Sequence, residues 1–89
     1  MAVMIVKHLV KDFGVWKKGF ESSTGLRKSN GMVSETVFQD ASDPNLIIVL
    51  LKWDSLERAK KFSQSDEIKA SMEKAGLVGR PEFNLMNEV

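Results

Sequence analysis

One side chain in this 89-residue sequence titrates near neutrality, His8. An imidazole beside an apolar ligand can deprotonate a phenol or donate to a carbonyl, so His8 is the first candidate acid or base. Trp53 is the second, because an indole offers a flat stacking surface and one N–H donor. Each has a plainer reading: a strand-end imidazole bonded to backbone or water, and an indole packed in a core. Other chemistries lack their parts. No Ser-His-Asp set or pair of facing carboxylates can be assembled, and Gly76-Leu77-Val78-Gly79 is too short for a nucleotide fingerprint. Without cysteine there is no thiolate or disulfide, and a single histidine argues against a His-based metal site.

The charge balance narrows the partners. Thirteen basic and 12 acidic residues, well interspersed, give a net charge of +1 and no electrostatic footprint for nucleic acid or an anionic membrane. No segment approaches the roughly 20 apolar residues of a membrane span. The N-terminus reads as a strand, not a signal peptide, and with the absent cysteines this suggests a cytoplasmic protein. The length suggests a single domain, residues 1–89, with only roughly 60–65% of its unfolded surface buried. Such a fold gains from a partner.

The elements that must position His8 and Trp53 follow from periodicity. Residues 2–10 read as a strand, with Met4, Val6, His8 and Val10 on one face and Val3, Ile5, Lys7 and Leu9 on the other. Asp12 then caps a helix carrying Phe13, Trp16 and Phe20 as one aromatic stripe, ended by Ser22-Ser23-Thr24-Gly25. A polar loop over 25–31 carries Arg27 and Lys28, either solvated or meeting an anionic ligand at a cavity mouth. Strand two covers 32–39, with Met32, Ser34, Thr36 and Phe38 opposite Val33, Glu35, Val37 and Gln39. Strand three, 46–53, opens with six unbroken apolar residues and demands cover on both faces.

Asp54 is placed to cap the next helix, with Glu57 at its third position and Leu56, Ala59 and Phe62 as its stripe. A break at 63–66 precedes a further helical segment with Ile68, Met72 and Ala75, closed by Gly76. After a Gly79-Arg80-Pro81 connection the last strand runs over 82–89. The order is α+β and ferredoxin-like, βαββαβ: a four-stranded antiparallel sheet, strands one and three central, both helices on one face. RNA-recognition modules of this shape stack bases on central-strand aromatics, and strand three has none before Trp53. The uncovered apolar face predicts a homodimer packed sheet face to sheet face.

Val10-Lys11-Asp12-Phe13 with Trp16-Lys17, and Gly31-Met32-Val33-Ser34, resemble the antibiotic biosynthesis monooxygenase family of the dimeric α/β-barrel superfamily. The most specific stretch is Trp53-Asp54-Ser55-Leu56-Glu57-Arg58-Ala59, with Phe62 and Ser65-Asp66-Glu67-Ile68-Lys69, and then a Gly-x-x-Gly-x-Pro lead from Gly76 to Pro81. The resemblance covers nearly the whole chain. It implies oxidation of aromatic or quinol-like substrates with O2 and no cofactor. It also implies a cavity lined by an Asn, a Trp, a Tyr, an Arg and a His. Trp53 matches the Trp, while Val49, Ala59 and Phe38 stand at the Asn, Tyr and His positions, and Lys69 approximates the basic residue. That leaves a more apolar pocket, for a small hydrophobic or aromatic ligand, and a non-catalytic ligand-binding or sensing dimer as the alternative. Haem degradation would need a helical histidine, and the expected helices have none.

Matching Trp53 to the family tryptophan sets an expected parity. Leu46, Ile48 and Leu50 would pack on the helices, while Ile47, Val49, Leu51 and Trp53 face a cavity between the two sheets. His8 would point into that cavity with Val6. Ser34, Thr36, Phe38 and Met86, or Asn84, would line it from the edge strands.

Overall fold

The computed structural model describes residues 1–74 and 76–89; Ala75, expected on the last helical stripe, lies outside the described residues. The strands are β1 (Ala2–Val10), β2 (Met32–Gln39), β3 (Leu46–Trp53) and β4 (Leu77–Asn87). They form one antiparallel sheet in the order β2-β3-β1-β4, so the two most apolar strands are central, as expected. The helices are α1 (Phe13–Ser22), α2 (Thr24–Ser29), α3 (Leu56–Ser63) and α4 (Asp66–Lys74). They lie on one face of the sheet, which is the ferredoxin-like arrangement.

Local chemistry accounts for most boundaries. The Asp12 carboxylate accepts from the Val15 amide at 3.1 Å and caps α1. At α3 the cap is Ser55, whose hydroxyl accepts from the Arg58 amide at 3.2 Å. Asp54, expected to cap, instead accepts from Arg58 Nη1 at 2.8 Å. Gly31 turns the chain into β2 with φ +107, a conformation suited to glycine.

Three departures from the sequence reading affect the site. Residues 24–29 are helix, not loop, because the Arg27 side chain is anchored in the interior and overrides weak local propensity. β4 begins at Leu77, and its pairing with β1 shifts between Lys7 and Leu9, leaving Gly79, Arg80 and Pro81 as a bulge opposite His8. Gly79 takes φ +73 there, and proline lacks the amide a regular ladder would need.

The third departure is the face of β3. Ile47, Val49, Leu51 and Trp53 point at the helices and are buried there; Leu46, Ile48 and Leu50 face away. Register makes this collective. Ala2 pairs with Trp53, Met4 with Leu51, Val6 with Val49 and His8 with Ile47, so both central strands commit the same rows to the core. Helix residues Trp16, Ala59, Phe62 and Ile68 close over them. The opposite face carries Lys7 and Lys52 among its apolar residues, and that face is the one more compatible with water.

Candidate functional site

A cavity lies between the sheet and the helices. Its floor is Val6 and His8 of β1, Val49 and Leu51 of β3, and Phe83 of β4. Its roof is Trp16, Gly19 and Phe20 of α1, Ser23, Arg27 of α2, Phe62 of α3, and Ile68 and Met72 of α4. The space open to the centres of water molecules is about 60 Å³. That is well below the ~150 Å³ of an apolar cavity able to take up benzene, so a ring ligand has to protrude from the cavity or spread its lining.

His8 is 6% exposed, and neither Nδ1 nor Nε2 has a hydrogen-bond partner in the protein. Its ring lies 5.3 Å from that of Trp16. Burial pushes its pKa down to about 4, so at pH 7 the imidazole is neutral, with one donor and one acceptor. Each unpaired buried polar atom costs roughly 1–3 kcal/mol, so a group on a ligand that satisfies one is strongly favoured.

One wall is a ladder of rings. Trp16 stacks on Phe20 at 4.9 Å, and the Arg27 guanidinium lies 3.7 Å over the Phe20 ring. Arg27 donates from Nε to Glu35 Oε2 at 2.9 Å, and from Nη2 to the Phe20 carbonyl at 2.7 Å and Thr24 Oγ1 at 3.1 Å. Thr24 Oγ1 donates in turn to Glu35 Oε1 at 3.0 Å. Burial lowers the Arg27 pKa and the adjacent Glu35 carboxylate offsets part of that, so the guanidinium stays charged and neutralised in place. Sequence reasoning missed this pair. Glu35 reaches the helix side because β2 shifts register between Met32 and Ser34, which puts Met32, Glu35 and Val37 on one face.

The expected site residues divide. His8, Val49 and Leu51 converge on the cavity, on the helix side of the sheet and not between two sheets. Trp53 is on the same side but 0% exposed, packed 4.8 Å from Phe62, with its indole N–H unpartnered. It lies outside the cavity lining. Ser34, Thr36, Phe38 and Met86 are exposed on the opposite face, because strand alternation and the β2 shift turn them away. They cannot reach the cavity. Trp16 belongs to the core and Phe20 packs against it, and both also line the cavity.

The sequence profile of the antibiotic biosynthesis monooxygenase family matches residues 17–74. The chain belongs to this family. Solved structures agree on the fold over almost the entire length. A Bordetella bronchiseptica protein assigned to the family superposes with a TM-score of 0.81 at 14% identity, over 99% of this chain and 96% of its own. SnoaB, a cofactor-independent oxygenase from Streptomyces nogalater, gives 0.80 at 11% identity, over 99% and 92%. A further antibiotic biosynthesis monooxygenase gives 0.76 at 13%, over 100% and 99%. At these identities the likeness concerns the fold. No curated protein sequence matches this chain significantly. Among the described residues no helix is long and apolar enough to cross a membrane.

Proposed function

We propose that this single-domain protein is a small-molecule-binding homodimer that holds an aromatic or quinol-like ligand in the sheet–helix cavity and oxidises it with O2, without a cofactor. The observation that carries this is His8: a neutral imidazole with two unpaired nitrogens on the wall of a mostly apolar, aromatic pocket that also holds Ser23 and Arg27. In the reaction the ligand loses two hydrogens from one activated carbon. One oxygen atom stays on that carbon as a carbonyl and the other leaves as water, so O2 takes up four electrons from the ligand. His8 hydrogen-bonds the ligand hydroxyl and takes its proton as the electron-rich anion forms. Trp53 backs Phe62 and shapes the wall from behind. SnoaB, described as a cofactor-independent oxygenase, has the same fold, which supports this reading.

One observation favours a second reading, a binding or sensing protein without turnover. Complete proton transfer from a phenol of pKa ~10 to an imidazole of pKa about 4 is uphill by roughly 8 kcal/mol. Val49 and Ala59, where the resemblance places an Asn and a Tyr, supply no further polar group. Oxygen-electrode assays with phenols, naphthols and anthrones decide between them. Oxygenase activity requires O2 consumption that the His8→Leu variant lowers by roughly 10²–10⁴-fold. Saturable binding with no uptake assigns the protein to the second reading.

The dimer uses the sheet face away from the helices. There, Thr36, Leu50, Ile5 and Asn84 form one cross-strand row, and Phe38, Ile48, Lys7 and Glu82 the next. Phe38 and Met86 are about half exposed in the single protomer, at 51% and 49%. Light scattering after gel filtration should give twice the 10.0 kDa chain mass for the native protein and the single mass for Leu50→Glu. A native monomer at micromolar concentration would refute the interface.

A further inference from the structure

A second, larger depression lies against the first. It measures about 500 Å³ by the same criterion as the 60 Å³ cavity, and it runs between α4 and the β4 bulge. Ile68, Met72 and Phe83 line both spaces and are therefore the wall between them. Ile68 is buried, whereas Met72 and Phe83 are half-buried. The bulge at 79–81 holds β4 away from regular pairing opposite His8 and gives the outer groove its floor.

We infer that Met72 and Phe83 form a movable partition that sets the size of ligand this site accepts. The inference rests on the reading that the inner cavity is the ligand site. Closed, the partition restricts a ligand to the small inner space at His8. With Met72 turned aside, the inner and outer spaces join, and a rigid multi-ring ligand can keep its hydroxyl at His8 while its far rings lie along α4. Methionine suits this role, since its unbranched, polarisable side chain repacks readily. The outer occupant is thus the remainder of the same ligand.

Binding of phenol and of 1-hydroxypyrene to the full chain, followed by calorimetry and fluorescence, tests this. The ratio of hydroxypyrene to phenol affinity should rise by about tenfold or more in Met72→Ala and in Phe83→Ala. It should fall in Met72→Ile, whose β-branched side chain is stiff on a helix. A ratio constant within about twofold across these variants overturns the partition, as does failure of both probes to bind. The His8→Leu variant separates the two claims. If it abolishes phenol binding while the ratio stays fixed, only the partition is wrong. If phenol binds it unchanged, the inner cavity is not the ligand site.

Discussion

Replacing His8 with leucine should yield a more stable protein that has lost its ligand. At pH 7 the native imidazole keeps two polar atoms in an apolar setting without partners, at roughly 1–3 kcal/mol each. Leucine removes both atoms and fills a similar volume beside Trp16. A gain of about 2 kcal/mol in a chain this short raises Tm by roughly 10 °C. The gain should grow in acid. The unfolded histidine protonates near 6.5 and the folded one near 4, so between those values the unfolded state binds more protons. Native stability is therefore full above about pH 6.5 and declines as pH falls toward 4, by roughly 3 kcal/mol in all. Urea titrations of both proteins from pH 7 to pH 4 would show the two curves diverging. Parallel curves would mean that the imidazole is solvated in the folded protein.

Removing Glu35 should have the opposite sign. Glu35→Ala leaves the Arg27 guanidinium charged, 5% exposed and facing Phe20 without its carboxylate. Breaking such a pair costs roughly 3–5 kcal/mol, and the partial exposure of Glu35 puts this case at the lower end. The double replacement Arg27→Met with Glu35→Val should return to within about 1 kcal/mol of the native protein, since paired apolar residues suit that interior. Equilibrium unfolding of the single and double variants measures this directly. A cost below about 1 kcal/mol for Glu35→Ala would place the pair in water.

The architecture was readable because each element carried its own pattern. Asp12 capped its helix as its spacing predicted, and the apolar run from Leu46 required a central strand. The orientation of that run was also readable, but from different residues. Lys7 shares a face with Ile5 and Leu9, and Lys52 with Ile48 and Leu50, so two cations mark the side away from the helices. Placing the face by Trp53 alone reversed the parity of both central strands. Single-residue irregularities were not legible. The β2 shift that turns Glu35 inward and the β4 bulge opposite His8 leave no periodic signal, because each depends on cross-strand geometry. Residues 24–29 are helical through the Arg27 anchor, a tertiary contact that local composition does not announce.

The central claim is that His8 is the polar anchor of a ligand pocket between the sheet and the helices. His8 is the only histidine in the sequence, so imidazole ¹⁵N resonances in labelled protein report on it without ambiguity. The free protein should show a neutral ring that titrates near pH 4. Saturation with phenol should move at least one ring nitrogen to the shift of a hydrogen-bonded tautomer. A midpoint near 6.5 in the free protein, or ring shifts unchanged at saturation, would contradict it.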